Sequence, residues 1–150
     1  MPDQLMFVSR MIEHWRVGDG AKFNPMRKTS LTMVHTAESV EKAALDWGGK
    51  PRLVATHARA LDGVPSVTFR DLRGQIEASR GGDVIEKLPQ KKDDERLFLL
   101  FGTGCGLTDD FMRGCDALLE PIRGASADDY RHLSVRSAVS ICLDRLLGPW

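Results

Sequence analysis

The sequence predicts an α/β fold built on a largely parallel sheet. Apolar, strand-like runs at residues 52–58, 97–101 and 116–121 alternate with segments of helical periodicity. The two later runs each open into a loop rich in glycine or proline, as strands do where a parallel sheet presents its carboxyl edge. The chain has 150 residues, 42% hydrophobic and 28% charged, which is enough for one globular domain with a real core and too little for two.

The elements follow in order. The stretch "DQLMFVSRMIEHWR" places Leu5, Val8, Ile12 and Trp15 at helical spacing, with Phe7 and Met11 widening the stripe, and Gly18 and Gly20 stop that helix. "KFNPMRKTS" reads as loop around Asn24-Pro25. In "SLTMVHT", Leu31, Met33 and His35 alternate with Thr32, Val34 and Thr36, which predicts a strand over residues 30–36. "ESVEKAALDWGG" predicts a short helix ended by Gly48-Gly49, and "RLVATHA" a buried strand. "VTFRDLRGQIEAS" sets Phe69, Leu72 and Ile76 on one helical face, and "KLPQKKDDER" is a charged, solvated connection. A strand over residues 97–101 leads into a glycine loop and a short helix from Thr108 to Arg113. The last strand, "DALLEPI", ends at Pro121, and Ser134 caps a final helix reaching Gly148.

Composition narrows the function. The 21 basic and 21 acidic residues cancel, so any contact with nucleic acid must come from a local basic patch, such as Lys22, Arg27 and Lys28. No apolar run reaches the roughly 18–20 residues of a membrane span, and the N-terminus has no signal-peptide core. The expectation is therefore a cytoplasmic protein without a membrane. Cys105, Cys115 and Cys142 lack ligand spacing and read as reduced thiols, with Cys115 and Cys142 as small core residues. Four histidines without ligand spacing predict no metal site. His35 and His57 fall in strand-like segments and read as structural, and His14 and Trp15 as packing at a helix end.

Three late loops carry the functional signal. They are Gly102-Thr103-Gly104-Cys105-Gly106-Leu107, then Glu120-Pro121-Ile122-Arg123-Gly124, then residues 130–136 with His132, Leu133, Ser134, Val135 and Arg136. The first alone also fits a dinucleotide-binding fold or a Rossmann-type methyltransferase. Those fingerprints normally open a domain and precede a long βαβ train, and little chain follows Gly106.

Taken together the loops resemble the C-terminal half of the SPOUT superfamily of S-adenosylmethionine-dependent RNA methyltransferases. In its SpoU branch one motif runs F-G-x-E-x-x-G-L, and a later one joins an Ile-Pro pair to Ser-Leu-Asn-(Val/Leu)-Ser. Here stand Phe101-Gly102-Thr103-Gly104-Cys105-Gly106-Leu107, Glu120-Pro121-Ile122 and His132-Leu133-Ser134-Val135-Arg136. The chain is more similar still to a small bacterial SPOUT family with H-W-x-x-G-x-G-x-x-(Y/F)-N-P-x-R, L-F-G-T-G-x-G-L, E-P-I and N-H-L-S-V-R-x-A. His14-Trp15, Gly18, Gly20, Phe23-Asn24-Pro25 and Arg27 match its first motif.

The resemblance implies a SPOUT-type domain over residues 1–150, with a C-terminal trefoil knot and S-adenosylmethionine as cofactor. It implies donor binding by Phe101, Gly102, Thr103, Gly104, Gly106, Leu107, Glu120, Pro121, Ile122, Gly124, Leu133, Ser134 and Val135. The acceptor is rRNA or tRNA, and a homodimer completes the site. Methyl transfer needs alignment, and a base where the acceptor carries a proton. The candidates for catalysis are His132 and Arg136, and those for substrate binding are Asn24, Arg27 and Arg136, with Asp129 a further polar group.

Two departures qualify the match. Relatives begin with a further strand-helix-strand bearing the arginine implicated in SpoU catalysis, whereas this sequence starts at the following helix. The SpoU glutamate is replaced by Gly104 and its asparagine by Ser134, so the SpoU residue set for ribose methylation is not reproduced. The competing expectation is a non-catalytic dimeric module that binds S-adenosylmethionine or RNA.

Overall fold

The computed structural model describes residues 2–23, 26–46, 49–59, 61–79, 96–124 and 132–149. The charged connection at 87–95, Asn24, Asp129, Tyr130 and Arg131 lie outside them, and only the backbone of Arg27 and Lys28 is described. The chain divides into two compact units, Met1–Gly49 and Lys50–Trp150.

In the first unit the predicted N-terminal helix is α1 (Pro2–Arg16), followed by α2 (Gly20–Phe23), α3 (Arg27–Thr32) and α4 (Val40–Asp46). The turn after α1 explains the spacing of its glycines. A Cβ on Gly18 would lie 2.7 Å from the His14 carbonyl oxygen, and one on Gly20 would lie 2.8 Å from the Trp15 ring. His14 and Trp15 meet edge to face, their centroids 5.8 Å apart.

Two expectations fail in this unit. Residues 27–32 are helical where a loop and the start of a strand were predicted, and no strand forms over 30–36. Alternation makes a strand only when one face is buried and a neighbour supplies hydrogen bonds. Met33 and Val34 are exposed, and in α3 the Thr32 hydroxyl donates to the Thr29 carbonyl instead.

The second unit is the α/β domain. Its strands are β1 (Arg52–Thr56), β2 (Ser66–Val67), β3 (Leu97–Leu100) and β4 (Ala117–Leu119), and its helices are α5 (Phe69–Ser79), α6 (Asp109–Arg113) and α7 (Val135–Leu147). All pairings are parallel, in the order β2-β4-β1-β3. The last strand therefore lies between β1 and β2, with Val54 opposite Ala117 and Val67 opposite Leu119.

Period-2 alternation sends successive residues of the central strands to opposite faces. Val54, Ala117 and Leu119 pack with Phe69 and Leu72 of α5 and Cys142 and Leu146 of α7. Ala55 and Leu118 pack on the other face with Met112 and Cys115. Burying a leucine as completely as Leu72 or Leu118 stabilises the fold by about 1.5–3 kcal/mol. Helix α7 is pinned to α5 by Arg73, whose Nη2 donates to the Gly148 carbonyl at 2.8 Å. The Arg145 guanidinium also sits over the Phe69 ring, 4.9 Å from its centroid. Among the described residues no helix is long and apolar enough to cross a membrane.

Candidate functional site

The carboxyl edge of the sheet opens onto a cleft of about 1080 Å³, close to the upper size of small-molecule sites, roughly 1,000 Å³. Its walls come from residues 56–59 at the end of β1, 101–107 after β3, Leu119, Glu120 and Ile122 at the end of β4, Asp109 and Met112 of α6, and residues 132–135 leading into α7. This is where a parallel sheet places a ligand, because neighbouring strands send their loops apart at that edge.

The glycine loop is built from its own backbone. The Gly106 N–H donates to the Thr103 carbonyl at 2.9 Å, closing a tight turn, and Gly106 has a φ of +77°. Gly102 lies against the returning strand, so a Cβ there would sit 2.4 Å from the Gly106 carbonyl carbon. Gly104, at the tip, has nothing within 4 Å of a Cβ position among the described residues and no unusual φ. The fold itself therefore calls for glycine at 102 and 106, whereas Gly104 is exposed and lines the cleft. Cys105 next to it is an exposed free thiol, and Cys115 and Cys142 are buried, as expected.

Glu120 has a structural task beside its place in the wall. Its Oε1 accepts from the Phe69 N–H at 2.7 Å, satisfying one of the free donors at the start of α5. Ser134 caps α7 as predicted, accepting from the Ser137 N–H at 3.2 Å. The helix then turns Val135, Ala138 and Cys142 toward the cleft at i, i+3 and i+7.

Of the residues predicted to hold the donor, Phe101, Gly102, Thr103, Gly104, Gly106, Leu107, Glu120, Ile122, Leu133, Ser134 and Val135 line the cleft, as does His132. Pro121, Gly124 and Arg136 do not. Arg136 is one residue, or about 100° of helix, beyond Val135 and so leaves the cleft face. Arg27 belongs to the first unit.

Sequence reasoning missed the segment Thr56-His57-Ala58-Arg59. The Thr56 hydroxyl donates to the Leu100 carbonyl at 2.9 Å and ties the ends of β1 and β3 together. Arg59 pairs with Asp109 at 3.7 Å in an exposed ion pair, a kind worth at most about 1 kcal/mol. The His57 Nδ1 is buried and makes no hydrogen bond among the described residues. Burial holds its pKa below the usual imidazole value, and the Arg59 charge adds to the effect. No motif marked this segment, because a threonine-histidine pair after a strand has no distinctive spacing.

A family profile described as SAM-dependent RNA methyltransferase matches residues 1–148. The chain belongs to that family. It is 35% identical over 150 residues to a protein of Oleidesulfovibrio alaskensis named tRNA (guanine-N(1)-)-methyltransferase, covering 97% of this chain and 30% of that protein. A Nitratidesulfovibrio vulgaris protein of the same name is 33% identical over 152 residues, covering 99% of this chain and 31% of its own length. An uncharacterized protein of Aquifex aeolicus is 37% identical over 149 residues, which is 97% of this chain and 64% of that one. The chain thus spans about a third of the length of the two named methyltransferases.

The residues present fit the family's cofactor, S-adenosylmethionine. Phe101, Leu107, Leu119, Ile122 and Leu133 offer an apolar wall for an adenosyl group, and the tip of the glycine loop leaves room for close backbone approach.

Proposed function

We propose that the protein methylates RNA, drawing the methyl group from S-adenosylmethionine held in the cleft at the carboxyl edge of β1, β3 and β4. One observation carries this reading. In a chain of a SAM-dependent RNA methyltransferase family, all three loops that the sequence singled out contribute to one cleft. The donor supplies an electrophilic methyl on a sulfonium. The protein's part is to hold the adenosyl group against the apolar wall, to aim the methyl at the acceptor and to exclude water. His132 is the candidate base for an acceptor that carries a proton, as a purine ring nitrogen does.

The relatives' name makes guanine in tRNA the first acceptor to test. Labelled methyl from S-adenosylmethionine is expected to enter tRNA or rRNA in the presence of the protein. His132→Ala is expected to slow transfer by about 100-fold, the usual scale for losing a general base. No incorporation into total cellular RNA by the folded, donor-binding protein would refute the methyltransferase reading in favour of a binding module.

The knot and the dimer belong to the same proposal. The insertion of the last strand between two earlier ones supports a threaded C-terminus. For the dimer, α7 has a second apolar side: Leu143 and Leu147 are exposed, about 100° around the helix from buried Cys142 and Leu146. Apolar surface on two sides of one helix favours burial on both, and a second copy is the proposed cover. Light scattering is expected to report a dimer at about 10–50 µM, a working range for a modest interface, and a monomer there would contradict it. The proposed location is the cytoplasm.

A further inference from the structure

His57 closes the wall of the cleft at the end of β1, the strand between those that supply the glycine loop and the Glu120 segment. Its ring is half-buried, with Nδ1 covered and without a hydrogen-bond partner among the described residues. A polar nitrogen in that state is one of the rare exceptions to satisfied burial and calls for a reason. A packing role alone would be served by an apolar side chain at no such penalty. Its burial, and then the Arg59 guanidinium two residues away, both favour the neutral imidazole.

The reason lies in the charge of the ligand and rests on the reading that this cleft takes S-adenosylmethionine. That donor carries a sulfonium cation, and its demethylated product, S-adenosylhomocysteine, has a neutral thioether in the same place. We propose that the His57 imidazole faces the sulfonium end of the donor, so that the site accepts the charged donor only while His57 carries no proton. The residue would then be a specificity determinant that sets the balance between donor and spent product. Desolvation of the cleft makes such an interaction felt, because a nearby like charge in a partly buried site is screened far less than in water.

The sign of the pH effect follows from linkage. A cationic ligand binds the unprotonated form better, so donor affinity falls as pH drops through the His57 pKa, and bound donor pushes that pKa lower still. The product, lacking the charge, follows much less. The fold responds in the same direction: a histidine with a depressed folded-state value contributes stability above its unfolded value, and that contribution is lost as pH falls through the folded value. The other charged or titratable groups lining the cleft are Arg59, Cys105, Asp109, Glu120, His132 and Cys142. Each of them acts in wild-type and His57 variants alike.

The test is calorimetric titration of the whole chain with S-adenosylmethionine and with S-adenosylhomocysteine, from about pH 8 to about pH 5.5, a window around the ordinary histidine value. The donor-to-product affinity ratio is expected to fall severalfold across that range in wild type, short of the about tenfold that a histidine at its ordinary value would give, because His57 resists protonation and is only partly charged at the acid end. His57→Gln, which is neutral throughout, is expected to flatten most of that fall. His57→Lys is expected to weaken donor binding about tenfold more than product binding near pH 7.5. A ratio with the same pH dependence in wild type and His57→Gln would overturn the proposal and assign the titration to another group. Equal losses of donor and product in His57→Lys would overturn it as well. If neither ligand binds wild type at any pH, it is the donor-site reading of the cleft that fails.

Discussion

Gly104→Val is expected to lose S-adenosylmethionine binding by about 100-fold or more while unfolding at the wild-type temperature. The two halves of that result have separate causes. Stability is kept because no atom of the described residues lies within 4 Å of the position a Cβ would take, and the backbone there has no unusual φ. A β-branched residue meets no conformational penalty in such a place. Binding is lost because Gly104 lines the cleft, and a branched side chain at the loop tip holds the ligand away from the main chain. Displacing a donor from close backbone contacts by even a single ångström forfeits both dispersion and hydrogen bonds, and a 100-fold loss corresponds to about 2.8 kcal/mol. Thermal unfolding of the variant checks the first half. A Tm several degrees below wild type would mean that the loop tip packs against the protein.

Gly102→Val is expected to behave in the opposite way and destabilise the whole domain by about 3 kcal/mol. Its Cβ would fall 2.4 Å from the Gly106 carbonyl carbon and 2.7 Å from the Leu107 nitrogen, both of them backbone atoms with no rotamer to escape into. Relief requires opening the turn that joins Thr103 to Gly106. The strain reaches both faces of the sheet, because Phe101 on one side of the loop packs against the Leu119 cluster and Leu107 on the other packs against the Leu118 cluster. A loss of that size is a large fraction of an ordinary domain's stability of about 5–15 kcal/mol. Denaturant unfolding with an unchanged slope and a lower midpoint is the expected observation. A midpoint within about 0.5 kcal/mol of wild type, the range of neutral surface changes, would show that the loop does not fold back on itself as described.

The contrast between these two glycines shows what the sequence could and could not disclose. The G-x-G-x-G spacing marked the loop, but the roles within it depend on which glycine faces backbone and which faces open space. The end of the chain was readable in detail: Ser134 and Gly148 bracket α7 as expected, since capping and helical periodicity are local properties. The strands at 52–56, 97–100 and 117–119 were readable for the same reason. The two residues of β2 were not, because Ser66 and Val67 become a strand only through pairing with Leu118 and Leu119. Nor does any local pattern place β4 between β1 and β2, since strand order is set by tertiary packing. In the first unit, Leu31, Met33 and His35 alternate like a strand, yet no buried face makes use of the pattern.

The site divides along the same line. Loops with unusual composition were found from the sequence, and the wall at 56–59 was not, because it owes its place to the end of a central strand. His57 read as a strand histidine with a structural role. Its position at the cleft, with a covered Nδ1 that finds no partner among the described residues, emerges only from the fold. Arg136 was drawn into the candidate set by its motif, and the helical turn after Val135 takes it off the cleft face.

The central claim is that the cleft framed by the glycine loop, the Glu120 segment and the start of α7 is a site for S-adenosylmethionine. Calorimetric titration of wild type and Gly104→Val, each with S-adenosylmethionine and with NAD, tests it most directly. The expected result is binding of S-adenosylmethionine to wild type in preference to NAD, and no measurable binding to Gly104→Val. Wild-type affinity in the variant would remove the glycine loop from the site, and a preference for NAD would contradict the assignment of the cleft to the methyl donor.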